Sequence, residues 1–238
     1  MSRRVKRILF VFGSILGILV FIGLIIWFSW PTIRGVYWNE KNEAFIAENK
    51  TAELNQIVFL GDSLTDGYNL DKYYTSDLKL YNRGIGGDKT DGIIDRLKSN
   101  VLEIQPIIIV LLIGINDIHS GLSLEKIEEN YREILDMIQS SLPDSQVYIE
   151  SLYPTNTLVY TYTDEYWDEI IAFNATLESM ADEYNYVFMD VYSSLLNGEE
   201  LNRDYSIDGL HLNHEGYLIV SDIISTYVDH LTVKVTDE

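Results

Sequence analysis

The sequence predicts an α/β protein with a doubly wound, mostly parallel five-stranded sheet, helices on both faces, and one transmembrane helix before it. Short apolar runs alternate along the chain with segments of helical periodicity, which is the β-α-β-α order of such sheets. One of these runs, Ile107–Ile113, is apolar throughout and suits a strand that is covered on both faces. A longer uncharged run, Ile8–Trp30, comes first in the chain and accounts for the predicted span.

The N-terminal segment has the length and the flanking charges of a membrane anchor. Ile8–Trp30 contains 23 residues without a charge, and a bilayer core needs about 20 residues of helix. Residues 3–7 include four basic side chains, so the positive-inside rule predicts a cytoplasmic N-terminus and an extracytoplasmic domain. A cleaved signal peptide is the alternative, but its apolar region is shorter and ends in a small-x-small site. We therefore assign residues 1–35 to a basic tail and an uncleaved plasma-membrane anchor.

The rest of the chain divides into a juxtamembrane helix, residues 36–54, and a folded domain, residues 55–238. Residues 31–238 carry 13 basic and 37 acidic side chains. Such a domain repels nucleic acid and anionic lipid surfaces, so we expect no nucleic-acid partner. The absence of cysteine excludes disulfides, thiolate catalysis and zinc-ribbon sites.

The folded domain contains five candidate strands, each a short apolar run. They are Gln56–Leu60, Leu78–Asn82, Ile107–Ile113, Val147–Ser151 and Val187–Val191. Four segments with apolar residues at helical spacing are Thr90–Glu103, Ser123–Ser141, Asp164–Glu183 and His214–His230. In a doubly wound sheet the ligand site lies beyond the carboxyl ends of the strands.

Four loop segments with unusual composition follow strands or precede the last helix. They are Gly61–Thr65 (GDSLT), Asn82–Asp88 (NRGIGGD), Gly114–Asp117 (GIND) and Asp208–His211 (DGLH). The predicted topology brings these loops to one edge of the sheet. Together they supply a serine, an imidazole, a carboxylate, a side-chain amide and free backbone N–H groups, which are the components of an acyl-transfer site.

A serine hydroxyl needs a base to take its proton, and His211 is the best base available for Ser63. Asp208 precedes His211 by three residues and can accept the imidazole Nδ1–H in a tight turn. An acyl-transfer oxyanion also needs two or three preorganised donors. The Ser63 N–H, the Gly87 N–H and the Asn116 amide are the candidates, and a glycine at position 87 allows close approach of the backbone.

These segments resemble the SGNH, or GDSL, hydrolase family, which is named after the Ser, Gly, Asn and His of its four blocks. GDSLT, NRGIGGD, GIND and DGLHLN match the blocks in order, over residues 56–230. The resemblance implies Ser63 as nucleophile, Gly87 and Asn116 in the oxyanion hole, and Asp208 and His211 in the triad. It also implies a flavodoxin-like sheet, esterase activity, and no metal or cofactor. The sequence is most similar to a bacterial branch of platelet-activating-factor acetylhydrolase-like and lysophospholipase-like esterases.

Each motif also has a simpler interpretation. Ser63 alone could be a helix cap, and Gly84–Gly87 could suggest a phosphate loop, but it lacks the required lysine and spacing. His214 is the main alternative to His211 as base, although its position suits the start of the last helix. Three carboxylates near the blocks, Asp66, Asp88 and Asp117, have no histidine at metal-ligand spacing. An aromatic-rich stretch could equally shape a pocket or fill the core: Tyr153, Tyr160, Tyr162, Tyr166 and Trp167.

We therefore expect a membrane-anchored, extracytoplasmic serine esterase that cleaves short-chain acyl esters of a small molecule, lipid or glycan without a cofactor. Two alternatives remain at this point. The same triad could transfer an acetyl group to a cell-surface glycan, or the domain could be a binding module that has lost turnover.

Overall fold

The computed structural model describes residues 20–21, 35–157 and 165–234. The chain forms two compact units, Met1–Lys41 and Asn42–Glu238. The predicted span, Ile8–Trp30, lies outside the described residues except for residues 20–21, which are helical. Within the described ranges, no helix combines the length and the apolar character that crossing a bilayer requires.

Residues 35–49 form a helix, α1. Residues 42–49 of α1 belong to the second unit. The predicted juxtamembrane helix extended to residue 54, whereas α1 ends at residue 49. Residues 50–56 are turn or irregular structure, and the Glu53 N–H donates to the Tyr81 hydroxyl at 2.8 Å instead of to a helix carbonyl.

The second unit contains nine strands and eight further α-helices within the described residues. The strands are β1 Ile57–Gly61, β2 Tyr74–Ser76, β3 Leu80–Gly84, β4 Ile108–Leu112, β5 Gln146–Glu150, β6 Val187–Met189, β7 Leu196–Asn197, β8 Glu200–Leu201 and β9 Leu231–Val233. The helices are α2 Ser63–Asp66, α3 Leu70–Tyr73, α4 Thr90–Asn100, α5 Ile115–His119, α6 Leu124–Ser141, α7 Glu165–Tyr184, α8 Tyr192–Leu195 and α9 His214–Tyr227. Each predicted strand and helix of the folded domain overlaps one of these elements.

Five strands form the central sheet in the order β3-β1-β4-β5-β6, and every neighbouring pair is parallel. The predicted parallel five-stranded sheet is therefore confirmed. Counting only these strands, the order is 2-1-3-4-5, which is that of flavodoxin-like folds. The order reverses between β1 and β4, and in open α/β sheets ligands bind at this reversal, beyond the carboxyl ends of the strands.

The register aligns the ends of the three strands that surround this reversal. Gly61 at the end of β1 lies opposite Gly84 of β3 and opposite Leu112 of β4. The loops that leave β1, β3 and β4 therefore start at the same level of the sheet. The segments that carry Ser63, Gly87 and Asn116 follow these three strands directly.

The core explains why the strand predictions succeeded. Every residue of β1 and of β4 is buried, which requires cover on both faces of the sheet. Helix α6 provides part of that cover through a buried apolar stripe, and the Ser123 hydroxyl caps the start of the helix by accepting from the Lys126 N–H. The stripe is Ile127, Tyr131, Ile134, Leu135 and Ile138.

A buried group of tyrosines ties the last helix to the first loop of the sheet. The Tyr68 hydroxyl lies 2.6 Å from both the Tyr74 hydroxyl and the Ser221 hydroxyl of α9. Tyr217, also on α9, stacks on Tyr68 with ring centroids 4.8 Å apart and donates to the Leu64 carbonyl at 2.8 Å. Buried hydroxyl groups need such partners. These contacts fix α9, and the loop before it, relative to α2.

Glu150, at the end of β5, is a carboxyl group inside this core. Its side chain is buried and accepts a hydrogen bond from the Tyr153 hydroxyl at 2.5 Å. Burial raises the pKa of Glu150 to about 7, and the hydrogen bond from Tyr153 opposes the rise only in part. Between pH 4.5 and about pH 7, the folded protein therefore keeps a proton on Glu150 that the unfolded chain has lost.

Replacing Glu150 with Gln should stabilise the protein at pH 8 and leave its stability at pH 4 nearly unchanged. An unfolded glutamate loses its proton near its ordinary pKa of 4.5, whereas the folded pKa is about 7. The contribution of Glu150 to the free energy of unfolding of the wild type is therefore greatest below pH 4.5, and it decreases as the pH rises to about 7. Gln keeps an acceptor for Tyr153 without ionising, so we expect a gain of about 2–3 kcal/mol in the free energy of unfolding at pH 8.

Urea unfolding at the two pH values, followed by circular dichroism, measures this difference. Glu103→Gln at an exposed position is the matched control and should change little at either pH. An equal gain from Glu150→Gln at both pH values would contradict the assignment.

Candidate active site

The first part of the site is the turn that joins β1 to α2 and carries Ser63. Asp62 is the N-cap of α2, and its Oδ1 accepts the Leu64 N–H at 3.0 Å. Gly61 is required here because a Cβ would collide with the Thr65 side chain and the Leu112 carbonyl. Ser63 is therefore the first residue of a short helix, half-buried at the end of the sheet.

The second part is the loop over residues 206–212, which the Ser206 hydroxyl stabilises through hydrogen bonds to other residues of the loop. The Ser206 hydroxyl donates to the His211 carbonyl at 3.0 Å and accepts the N–H groups of Asp208 at 3.3 Å and Gly209 at 2.7 Å. Gly209 has φ +97°, and a Cβ there would lie 2.5 Å from the Asn156 carbonyl oxygen. Only glycine fits this conformation and this space without strain.

The Asp208 carboxylate takes part in three hydrogen bonds within this loop, two with His211 and one with Leu210. Asp208 Oδ1 accepts the backbone N–H groups of Leu210 at 3.1 Å and His211 at 2.8 Å, and Oδ2 lies 2.7 Å from His211 Nδ1. Partial burial pushes the pKa of Asp208 upward, but the hydrogen bonds from His211 and Leu210 outweigh it and the pKa is lowered. The carboxylate is therefore charged at neutral pH.

The two parts meet at the Ser63 hydroxyl, whose Oγ lies 2.9 Å from His211 Nε2. Because Nδ1 faces the Asp208 carboxylate, the neutral ring carries its proton on Nδ1 and leaves Nε2 as an acceptor. The Ser63 hydroxyl can then donate to Nε2. The structure thus brings the three residues predicted as a triad into one hydrogen-bonded line.

The predicted oxyanion donors lie around the same serine. The Asn116 amide donates to the Asp88 carbonyl at 2.9 Å and to Asp62 Oδ2 at 3.3 Å, so it lies beside the neighbours of both Gly87 and Ser63. Gly87 has φ +76°, which suits glycine. Ser63, as the first residue of α2, presents a backbone N–H that has no acceptor within the helix.

Asp62 differs from Asp208 in its surroundings. Burial raises the pKa of Asp62 to about 7, the Leu64 N–H opposes this rise, and the nearby carboxylates of Asp88, Asp117 and Glu150 add to it. The Asn116 amide, which donates to Asp62 Oδ2 at 3.3 Å, gives this carboxyl group a second hydrogen bond beside that from the Leu64 N–H.

The ring of the alternative base, His214, bonds Tyr73 and Lys72 and not Ser63. It is the first residue of α9, and its Nδ1 lies 2.9 Å from the Tyr73 hydroxyl and 3.0 Å from Lys72 Nζ. His211, not His214, is therefore the imidazole that the structure brings to Ser63.

The three carboxylates considered as metal ligands each have a structural partner. Asp66 accepts the Gly86 N–H at 3.1 Å, and Asp88 forms a buried ion pair at 2.8 Å. Asp117 accepts the N–H and the hydroxyl of Thr90 at the start of α4. Among the residues that the structure describes, no three or more His, Cys, Asp or Glu side chains are grouped to hold a metal ion.

The aromatic-rich stretch has one member in the core, Tyr153, whereas Tyr166 and Trp167 are half-buried. Tyr153 is buried beside Glu150 and belongs to the core. Trp167 donates from Nε1 to the Thr155 hydroxyl at 3.0 Å, and Tyr166 meets His119 edge to face with centroids 5.1 Å apart. Two further members, Tyr160 and Tyr162, lie outside the described residues.

The sequence prediction missed the residues that hold these loops in place. Ser206 holds the loop over residues 206–212 through its hydroxyl, and Asn156 does so through its N–H, which donates to the Gly209 carbonyl at 2.9 Å. Neither bond belongs to a motif that the sequence shows. Arg96 had a visible signal, because it shares the inward face of α4 with Ile93 and Leu97, where a charge needs a buried partner.

Comparison with known proteins finds one matching family. The model of the GDSL-like lipase/acylhydrolase family matches residues 59–219, which include all the predicted site residues. Among curated proteins, the platelet-activating factor acetylhydrolase IB subunit alpha1 of Bos taurus is 31% identical over 121 residues, or 49% of this chain and 51% of that protein. The chain therefore spans about half the length of the curated relatives it matches.

Solved structures share the fold. A Streptococcus pneumonia protein provisionally described as a platelet activating factor superposes with a TM-score of 0.76 at 24% identity, covering 87% of this chain and 98% of that one. An acetyl xylan esterase, AlAXEase, superposes with a TM-score of 0.64 at 22% identity, covering 73% of this chain and 99% of that one. At these identities the likeness concerns the fold alone.

Replacing His211 with Ala should slow the reaction of Ser63 with a fluorophosphonate probe by at least about 1000-fold, because the hydroxyl then has no base. His214→Ala is the matched control and should react within a few-fold of the wild-type rate, since its ring contacts Tyr73 and Lys72 instead. Mass spectrometry of the Ser63 peptide over time measures both rates. A comparable loss in the two variants would contradict the assignment of His211 as base.

Proposed function

The chain belongs to the GDSL-like lipase/acylhydrolase family of ester-hydrolysing enzymes, and we propose that it is a serine esterase of short acyl esters, in particular acetyl esters. The observation that carries the proposal is the line of hydrogen bonds from Ser63 through His211 to Asp208. A nucleophile, a base within reach of its proton, and a group that orients the base are the three components of covalent acyl transfer.

In the acylation step, Ser63 Oγ attacks the ester carbonyl carbon while His211 Nε2 takes the hydroxyl proton. The imidazolium that forms is stabilised by the Asp208 carboxylate at Nδ1, and Asp208 itself remains ionised. The tetrahedral intermediate collapses when Nε2 returns the proton to the leaving alkoxide. The products of this step are the free alcohol and an acyl-Ser63 enzyme.

Hydrolysis of the acyl-enzyme repeats the sequence with water as the nucleophile. His211 Nε2 takes a proton from water as its oxygen attacks the acyl carbonyl, and then gives that proton to Ser63 Oγ. The acid product leaves and the resting hydrogen bond between Ser63 and His211 is restored.

The charge on the carbonyl oxygen is taken up by the backbone N–H groups of Ser63 and Gly87 and by the Asn116 amide. At rest, Asn116 gives its shorter hydrogen bond to the Asp88 carbonyl and its longer one to Asp62. We infer that the oxyanion takes over the donor now directed to Asp62, while the bond to Asp88 keeps the amide in place. Preorganised donors of this kind contribute about 3–4 kcal/mol each to catalysis.

The relatives and the charge of the domain together favour acetyl esters of neutral molecules. One relative carries the name of an acetylhydrolase and one fold neighbour that of an acetyl xylan esterase. Residues 31–238 carry 13 basic and 37 acidic side chains, which disfavours polyanionic substrates. We therefore propose acetylated glycan, or a lipid with a short acyl group, as the substrate class.

The location of the substrate follows from the N-terminal segment. The uncharged run Ile8–Trp30 and the basic residues 3–7 support a single membrane anchor with the catalytic domain outside the cytoplasm. The proposed enzyme then acts on esters at the cell surface.

Replacing Ser63 with Ala should abolish ester hydrolysis, because the nucleophile is gone while the fold is kept. We expect Ser63→Ala to lower kcat by about 10⁴-fold or more. In a series of nitrophenyl esters, wild-type activity should be highest on the acetyl ester and should decrease toward the octanoyl ester. Thr65→Ser, a conservative change of a neighbouring hydroxyl, is the control. Residual activity of Ser63→Ala close to that of the wild type would overturn the proposal.

Deleting residues 8–30 should release the protein from membranes. The full chain is expected in the membrane fraction, resistant to high salt, because burial of the apolar run and not surface charge holds it there. Fractionation followed by protease treatment of intact cells measures both attachment and side. Recovery of the full chain in the soluble fraction, or protection of its domain from external protease, would contradict this location.

A further inference from the structure

Arg96 is a charged side chain placed wholly inside the protein next to the proposed site. It lies on α4 with its side chain 0% exposed, among the apolar residues that this helix turns toward the sheet. Burial lowers the pKa of Arg96, and the nearby Asp88 carboxylate opposes this effect. A buried guanidinium persists only where its N–H groups find acceptors.

Three acceptors surround the guanidinium. Arg96 Nε donates to Asp88 Oδ2 at 2.8 Å, one terminal nitrogen donates to the Gly61 carbonyl at 3.0 Å, and the other donates to Asn100 Oδ1 at 3.3 Å. Two of these acceptors, Asp88 and Gly61, belong to loops of the proposed site.

Each of these two acceptors also has a second bond within the site. The Gly61 carbonyl, two residues before Ser63, accepts the Ile85 N–H at 3.1 Å. Asp88 follows Gly87, and its carbonyl accepts the Asn116 amide at 2.9 Å. One guanidinium is therefore connected, through single hydrogen bonds, to the segments that carry the nucleophile and the predicted oxyanion donors.

The geometry points to Arg96 as a positioning residue that sets the distance between the Ser63 turn and the oxyanion loop. This inference rests on the proposed function. The guanidinium is planar and its N–H groups point in fixed directions, so it holds two acceptors at a fixed separation. A lysine ammonium keeps the charge but has no such fork. The loops carry the reacting groups, and α4 fixes their spacing through Arg96.

Arg83 provides a matched control for the effect of removing a buried arginine. Its side chain is 1% exposed, and it bonds Glu48 at 2.6 Å, Asn49 at 2.7 Å and the Asn100 carbonyl at 3.1 Å. It also packs against the Phe45 ring at 4.8 Å. Arg83 itself lies on β3, in the NRGIGGD segment, but its guanidinium bonds α1, β3 and the end of α4, and none of its acceptors belongs to Ser63, Gly87, Asn116 or their chain neighbours.

The experiment compares Arg96→Met, Arg96→Lys and Arg83→Met in the full chain, with kcat and KM measured on a nitrophenyl acetate and normalised to folded protein by circular dichroism. We expect Arg96→Met to lower kcat by about 100-fold with KM nearly unchanged, because misplacement by about 1 Å has effects of this size. Arg96→Lys should recover part of the loss. Arg83→Met should lose thermal stability to a similar extent but lose far less of its kcat than Arg96→Met.

Asp88→Asn is a second variant for the case that Arg96→Met fails to fold, since it keeps the shape and removes the ion pair. It should lower kcat by about tenfold with KM nearly unchanged. Wild-type kcat in folded Arg96→Met or Asp88→Asn, or an equal loss of kcat in Arg83→Met, would overturn the positioning role. If the wild-type protein hydrolyses none of the esters, the proposed function is contradicted instead. The wild-type measurement alone decides that question, so the two failures can be told apart.

Discussion

The hydrogen bond between Ser63 Oγ and His211 Nε2 joins two residues that are 148 positions apart in the chain. It forms only if the turn after the first strand and the loop before the last helix lie close enough to bring these two atoms to 2.9 Å. The parallel sheet supplies one half of this condition, because β1, β3 and β4 end at the same level. The Tyr217 bond to the Leu64 carbonyl supplies the other half by fixing α9 against the serine turn. A side chain that takes no part in the proposed reaction thus holds α9, which follows the loop of His211, against the serine turn.

The same chemical group behaves differently at different points of this edge. Asp208 receives three hydrogen bonds and its pKa is lowered, so it stays charged beside the imidazole. Asp62 and Glu150 are buried with fewer donors, and burial raises the pKa of each to about 7. Pairs of carboxyl groups whose environments separate their pKa values are typical of active sites. Here the separation leaves a charged carboxylate beside the imidazole that the proposed mechanism protonates.

Much of this arrangement could be predicted from the sequence, because apolar runs and short motifs are local signals. Ile107–Ile113 predicted a strand covered on both faces, and β4 is one. Other boundaries depend on distant partners. The predicted last strand continued to Val191, but β6 ends at Met189, because the chain then turns into α8 and the Asp190 carboxylate accepts the Ser193 N–H. The predicted last helix continued to His230, yet α9 ends at Tyr227 because Leu231 pairs with Ser76 in a small second sheet.

For the candidate site, the motifs singled out a serine, an imidazole and a carboxylate, and the structure brings these three side chains together. The bonds that hold their loops are not features of the motifs, because Ser206 closes its own loop and Arg96 reaches from α4 to the Ser63 turn. The proposed catalysis passes through a covalent intermediate at Ser63, and the most direct test is intact-protein and peptide mass spectrometry of a rapidly quenched reaction with a nitrophenyl acetate. We predict one acetyl group on the Ser63 peptide, formed with the first release of nitrophenol and lost at the steady-state rate. Nitrophenol release with no acetyl adduct, or with the adduct on another residue, would contradict the account.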